Sequence, residues 1–157
     1  MAKKRKIKKT PESIRYEIKV EDWEVYNYFG IAPKTLKEMG TGAYWEISNL
    51  ILLGKIINPE LKIANRAKVE LASEPEMADH WTTEPTIRSA KAIGFMEVPR
   101  GEDVLHMRCS IPPRMSNNIH LAVASGKIKY VSIFGEKLKW RKGLVFSISL
   151  SAELEEE

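Results

Sequence analysis

The sequence predicts a mainly β fold, an antiparallel sandwich or barrel of about eight short strands with one short helix at residues 115–125. Three observations lead to this prediction. Short runs of the chain alternate apolar and polar side chains, which is typical of half-buried strands. Turn-forming residues separate these runs. The alternation of strands and helices that would indicate a parallel sheet is missing.

The first strand is predicted from the alternation that begins at Ile14 and continues to Val20. The apolar parity then changes near Glu21 and Asp22, and this change predicts a bulge or a turn rather than one regular strand. Residues 30–42 contain three glycines and a proline, so they are expected to form a loop.

A hairpin is predicted from two strands at residues 43–57 and 63–72. In the second strand charged residues alternate with Ala67, Val69 and Leu71, which gives one wet face and one buried face. Residues 73–89 are polar, contain two prolines and lack a sustained period, so they are expected to be a long connection. The first strand of the hairpin is predicted to share one apolar face among Trp45, Ile47, Ile51 and Leu53.

The second half predicts a strand at residues 90–98, a strand ending at Ile111, and a helix between Pro112 and Gly126. Ser116 is the expected N-cap of this helix, and Gly126 is its C-terminal stop. The inward side of the strand before the helix is expected to carry Leu105, Met107, Cys109 and Ile111. Three strands of a meander are predicted at residues 127–134, 136–141 and 144–151.

One domain is expected over residues 12–152, between a disordered basic arm at residues 1–11 and a frayed acidic tail at residues 153–157. A chain of 157 residues is long enough to bury a core without a disulfide or a metal. The single cysteine, Cys109, excludes an internal disulfide framework. The chain has neither a long apolar span nor the apolar region of a secretory signal, so we expect a cytoplasmic protein with no membrane partner.

Charge is distributed unevenly along the chain, whose net charge is +4. Six cations and no acid occur within the first nine residues, namely Lys3, Lys4, Arg5, Lys6, Lys8 and Lys9. Such an arm attracts DNA or RNA through phosphate contacts that do not depend on base sequence. A second basic group, Lys137, Lys139 and Arg141, is predicted to share one face of the strand at residues 136–141. That face is either a floor for a polyanion or the solvated, charged side of an edge strand.

Aromatic residues are concentrated shortly after the basic arm. Of the 13 aromatic residues, seven lie between positions 16 and 45, namely Tyr16, Trp23, Tyr26, Tyr28, Phe29, Tyr44 and Trp45. Aromatic rings beside cations are typical of surfaces that bind single-stranded nucleic acid. Rings on strands also fill β cores, and the sequence leaves both interpretations open.

No catalytic residue, metal site or cofactor is expected. His106 and Cys109 lie three apart on one predicted strand, so their side chains should point to opposite faces. With His80 and His120 they are too scattered for a zinc site, and the acidic stretch at residues 74–84 lacks the spacing of a calcium loop. The glycine motifs of phosphate-binding loops are also missing.

Two functions from different classes fit these observations. The favoured one is a non-catalytic intracellular binding module that contacts DNA or RNA, without sequence specificity, through the basic arm and the basic strand face. The alternative is a protein–protein interaction or assembly subunit, a homo-oligomer without a nucleic-acid role, in which the oppositely charged ends attract each other. An enzyme is less favoured than either because the chemical motifs are missing.

Overall fold

Seven strands close into a barrel within the residues that this computed structural model describes, which are 10–32, 34, 44–74 and 91–154. The strands are β1 (Ser13–Ile31), β2 (Tyr44–Asn58), β3 (Arg66–Ser73), β4 (Gly94–Glu97), β5 (Val104–Ile111), β6 (Tyr130–Glu136) and β7 (Lys142–Ser151). A helix, α1 (Pro113–Ala124), lies between β5 and β6.

The order of strands around the barrel is β1-β2-β3-β5-β4-β7-β6, and β6 pairs with β1 to close it. The predicted mainly β class is therefore confirmed, in its barrel form. One pair departs from the antiparallel prediction, because β5 runs parallel to β3. This pairing arises because β4 and β5 form a hairpin in which β5, rather than β4, lies beside β3.

The barrel interior is filled by apolar side chains from every strand. The predicted inward faces of β3 and β5 are confirmed, since Val69, Leu71 and Met107 are buried. In β2 the predicted face is wrong, because Leu50 and Leu52 are only 1% exposed while Ile51 between them is half-buried. A run of consecutive apolar residues suits either parity, and here the pairing with β1 and β3 decides which side chains point inward.

Helix α1 packs against β2 and β3 and buries Ser116, Ile119 and Val123. It begins at Pro113 rather than at 115, and the prediction of Ser116 as N-cap is wrong because Pro112 holds that position. A proline in the first turn has no N–H to leave unpaired and has the φ value a helix needs. In the described part of the chain, no helix has the length and apolar character needed to cross a membrane.

The predicted end of α1 at Gly126 is confirmed. Gly126 has a φ of 70°, and its N–H donates to the Val123 carbonyl at 2.9 Å. The next N–H, of Lys127, donates to the Ala122 carbonyl at 3.1 Å. These two bonds form a Schellman motif, in which a residue with positive φ satisfies the last carbonyls of the helix.

The predicted strand at residues 136–141 is wrong, so the barrel has seven described strands where about eight were expected. After β6 the chain reverses in a two-residue turn, in which Lys139 and Lys142 exchange backbone hydrogen bonds of 2.9 and 3.1 Å. Trp140 and Arg141 occupy the turn with φ values of 54° and 67°. We call residues 139–142 the Trp140 turn. The apolar and charged residues of this segment alternate as in a strand. Neither central residue of the turn is the glycine or asparagine that usually marks such a turn, so the sequence did not indicate it.

Three register shifts interrupt the described strands, two in the pairing of β1 with β2 and one in the pairing of β6 with β7. The bulge predicted near Glu21 is confirmed, since Val20 lies opposite Gly54 and Asp22 lies opposite Leu53. At Gly54 a Cβ would collide with the Lys19 carbonyl oxygen, so only glycine allows the strands to approach this closely.

A second bulge lies in β7 opposite the step from Phe134 to Gly135. It makes Val145 the buried residue, whereas unbroken alternation of the apolar residues Leu144, Phe146, Ile148 and Leu150 would bury Leu144 and Phe146.

Two features project from opposite ends of the barrel. β1 pairs with β6 only over its first seven residues, and β2 pairs with β3 only from Asn49 onward. Among the described strands, Asn27–Ile31 and Tyr44–Ser48 pair only with each other, while Trp23–Tyr26 pair with residues 49–52 of β2 and have no partner on their other side. We call Trp23–Ile31 and Tyr44–Ser48 the ribbon. The ribbon lies at the end that α1 covers, whereas the Trp140 turn lies at the other end.

Tyr16 provides a test of the barrel interior. Its buried hydroxyl donates to the Glu136 carbonyl at 2.9 Å and accepts from the Leu138 N–H at 3.2 Å. Tyr16→Phe leaves both backbone groups without this partner and should lower the free energy of unfolding by about 1–3 kcal/mol in urea denaturation. The control, Tyr26→Phe, alters an exposed ring and should change it by less than about 0.5 kcal/mol. Equal effects of the two substitutions would contradict this role for Tyr16.

Candidate functional site

The predicted nucleic-acid residues lie partly outside the described chain, since the six cations of the basic arm precede Thr10. The start of the described chain lies against the segment between β6 and β7. There the Lys137 N–H donates to the Glu12 carbonyl at 2.7 Å, and the Lys137 Nζ lies 3.2 Å from Glu12 Oε2. The arm is therefore attached at the same end of the barrel as the Trp140 turn.

The three cations predicted for one strand face do not share a strand. Lys137 is ion-paired with Glu12, and Arg141 is directed at the connection between β4 and β5. The Arg141 guanidinium donates to three carbonyls there, those of Val98 at 2.7 Å, Pro99 at 2.9 Å and Glu102 at 2.9 Å. Arg141 thereby holds the Trp140 turn against a neighbouring loop. A nucleic-acid role for the three cations remains a prediction.

An exposed aromatic surface on the outside of the barrel was missed by the sequence interpretation. Phe95 of β4 is half exposed and lies between Arg108 of β5 and Leu144 of β7. On the next strand, β6, Phe134 is exposed beside Phe146, and their ring centroids are 6.2 Å apart. Phe134 also lies opposite Arg15 of β1.

We call this surface the outer stripe, defined by Arg108, Phe95, Leu144, Phe146, Phe134 and Arg15. It crosses five neighbouring strands and has an exposed arginine at each end. Outward parity could have identified Phe95, which precedes the buried Met96. The bulge in β7 concealed Leu144 and Phe146, since it reverses which side chains at the start of that strand point outward.

The outer stripe continues to the Trp140 turn. A concavity of about 420 Å³ lies between Phe95 and Trp140, and Lys139 and Lys142 also line it. Trp140 is 87% exposed, which is unusual for the largest aromatic side chain. Exposed rings flanked by cations offer stacking faces for bases and charges for phosphates.

Carboxylates border the outer stripe, and three of them have partners. Glu70 lies opposite Arg108, and its Oε1 accepts a hydrogen bond of 2.8 Å from the Asn49 Nδ2. Glu136 Oε2 accepts a hydrogen bond of 3.0 Å from the Leu144 N–H. Glu97 Oε2 lies 3.5 Å from the Lys142 Nζ. Their negative charge is therefore partly compensated within the protein, which reduces their repulsion of a polyanion.

The aromatic residues between positions 16 and 45 separate into two groups. Tyr16 belongs to the core, whereas five others are exposed on β1 and β2, namely Trp23, Tyr26, Tyr28, Phe29 and Tyr44. The seventh, Trp45, has a side chain that lies outside the described part of the structure. Residues 21–31 and 44–54 carry four acidic residues and neither lysine nor arginine. These two segments therefore supply no cation of their own beside the exposed rings, in contrast to the outer stripe.

Within residues 10–32, 44–74 and 91–154, the groups with catalytic or metal-binding chemistry do not converge. As predicted from parity, Cys109 points into the barrel while His106 points outward, where its Nε2 lies 2.8 Å from Glu102 Oε2. Among the described residues, no three His, Cys, Asp or Glu side chains are close enough to hold a metal ion. His80 and most of the acidic stretch at residues 74–84 lie outside those residues.

Because the Cys109 thiol is buried, the free energy of unfolding depends on pH in the alkaline range. Burial raises the pKa of Cys109 from its ordinary value of 9.0 to about 12. The unfolded chain therefore loses the thiol proton first, so the stabilisation is complete below pH 9 and is lost as the pH rises toward 12. In urea denaturation between pH 9 and 10.5, the stability difference between wild type and Cys109→Ala should change with a slope that rises from about 0.7 toward about 1.4 kcal/mol per pH unit as the unfolded thiol ionises. Parallel pH curves would contradict this explanation.

Comparison with protein-family models, with curated proteins and with solved structures finds no match to the chain. Its function must therefore be argued from the surfaces themselves. The outer stripe and the Trp140 turn together form the surface on which exposed rings and cations coincide.

Proposed function

We propose that this chain is a non-catalytic binding module that holds single-stranded nucleic acid across the outer stripe. One observation supports the proposal above the others: exposed phenylalanines lie between two exposed arginines on adjoining strands of one barrel face. Bases would stack on Phe95 and Phe134, and phosphates would pair with Arg108 and Arg15.

The geometry of the barrel favours a flexible single strand over a duplex as the ligand. The outer stripe crosses five strands at about 4.8 Å spacing, so it extends about 19 Å across a convex surface. A single strand can follow such a surface and turn its bases toward the rings, whereas paired bases in a duplex are stacked on each other. Stacking tolerates any base, and this agrees with the non-specific binding expected from the sequence.

The basic arm would add affinity at the Trp140 end of the outer stripe. Its six cations are attached through Glu12, which contacts Lys137 next to that turn. Cations that neutralise phosphates release counterions, so their contribution decreases as salt increases. The arm therefore supplies attraction, while the rings would position the bases.

The stacking role is tested by fluorescence anisotropy with labelled single-stranded DNA and RNA of 15 nucleotides at low salt. Phe95→Ala and Phe134→Ala should each weaken binding about 5- to 150-fold, because a stacked base contributes about 1–3 kcal/mol. The matched control is Phe29→Ala, which removes an exposed ring of the ribbon and should leave the affinity unchanged. Failure of wild-type protein to bind at low salt would overturn the proposal.

The salt dependence tests the charged contacts separately. Arg108→Ala should reduce the slope of log affinity against log salt by about 0.7, the value for one phosphate of a single strand. Removal of residues 1–9 deletes no described residue and should reduce the slope by up to about 4, if all six cations contact phosphate. Equal binding of duplex and single strand, insensitive to both phenylalanine substitutions, would show charge attraction without stacking and would contradict the role of the outer stripe.

A further inference from the structure

The ribbon continues the inner face of the barrel outside the barrel. Trp23 lies opposite the buried Leu52, and Val25 lies opposite the buried Leu50. Further along the same face, Phe29 lies opposite Glu46, and Ile31 lies opposite Tyr44. The row of side chains that forms the core therefore extends to the tip of the ribbon.

These outer side chains are exposed although they continue a core face. Phe29, Ile31 and Tyr44 are 71%, 70% and 67% exposed, and the Phe29 and Tyr44 rings stack with centroids 5.7 Å apart. Large exposed apolar patches on soluble proteins usually mark an interaction site. The two rings already stack on each other, so binding of a partner would lose little side-chain entropy in ordering them.

The charge of the ribbon indicates what kind of partner fits it. Glu21 is paired with Arg66 of β3, and Asp22 Oδ1 accepts from the Trp23 N–H. Glu46 is exposed on the face of Phe29, and Glu24 is exposed on the opposite face with Tyr26. Each face of the ribbon thus combines exposed rings with a carboxylate.

Rings and carboxylates together recognise cationic side chains. Lysine and arginine bind the faces of aromatic rings through cation–π attraction, and they form charge-assisted hydrogen bonds with carboxylates. Because residues 21–31 and 44–54 contain no lysine or arginine, the ribbon provides no competing cation of its own.

We propose that the ribbon binds the Lys/Arg-rich segment at residues 3–9 of a second copy of this chain. A concavity of about 660 Å³ lies between the ribbon and the start of α1, and Phe29, Glu46, Pro113 and Asn117 are among its lining residues. Among the described residues that line it, none is a cation. The segment supplies six cations within seven residues, which matches the charge of this surface.

The basic segment of the same chain is too short to follow β1 to the tip of the ribbon. Lys3 precedes Ser13 by ten residues, which span at most about 35 Å. Phe29 follows Ser13 by 16 residues along β1, a path of about 53 Å. A segment that followed β1 would end before Phe29, and this favours a second molecule as the source of the cations.

The resulting association joins unlike surfaces. Pairing of one ribbon with another would bring like charges together, whereas pairing of a ribbon with a basic segment joins opposite charges. The inference does not rest on nucleic-acid binding, because the ribbon lies at the end of the barrel opposite the Trp140 turn. The basic segment itself is shared by the two proposals, so nucleic acid bound to its cations would compete with the ribbon.

The probe for this proposal is a labelled peptide with the sequence of residues 1–12, titrated with the full-length chain at low salt. Phe29→Ala and Glu46→Gln should each weaken peptide binding about 2- to 30-fold, the range of a cation–π or exposed charge contact. The matched controls are Phe95→Ala and Glu97→Gln, which change an exposed phenylalanine and a glutamate away from the ribbon and should bind the peptide as wild type does. Thermal unfolding of all four variants establishes that they are folded.

Sedimentation velocity of the unlabelled chain provides a second measurement. Self-association should increase with concentration, decrease with salt, and be weakened by Phe29→Ala but not by Phe95→Ala. Lack of peptide binding at low salt, or equal binding by ribbon and control variants, would overturn the proposal. A Phe95→Ala variant that loses nucleic acid but keeps the peptide separates this outcome from failure of the proposed function.

Discussion

Closure of the barrel is the constraint on which the rest of the structure depends. Once β6 pairs with β1, every strand of the barrel has two neighbours, and one face of each strand must be apolar to fill the interior. Buried polar groups then need partners within the protein, and the Tyr16 hydroxyl meets this requirement through two backbone groups. Apolar side chains from all seven described strands occupy the interior. The surfaces proposed to bind partners therefore lie on the outside of the barrel and at its two ends.

Strand length determines what those two ends carry. β1 and β2 are longer than their other neighbours, so they leave the barrel as a pair and form the ribbon. At the opposite end a two-residue turn places Trp140 in solvent, while the three bonds of Arg141 hold that turn in place. The two ends differ in charge as well as in shape. One molecule can thus present an anionic aromatic surface and a cationic aromatic surface at the same time.

The sequence correctly predicted the elements that local periodicity determines. β3, β5, the bulge near Glu21 and the end of α1 follow from alternation and from glycine chemistry. The errors occurred where one pattern suits two structures: the apolar run in β2 fits either parity, and the residues around Trp140 alternate like a strand. Strand order and the outer stripe depend on pairings between residues distant in the chain, such as Phe95 with Leu144. Periodicity within one segment does not contain that information.

The ribbon also has a consequence for solubility. Within the described residues, its two strands hydrogen-bond only to each other beyond the barrel, so each has a backbone edge capable of adding a further strand. Edges of this kind promote stacking of like molecules into fibrils unless charge opposes it. Glu24 and Glu46 place like charges on both faces, so that stacked copies would repel one another. The same carboxylates that suit a cationic ligand would therefore also protect the protein from amyloid-like growth.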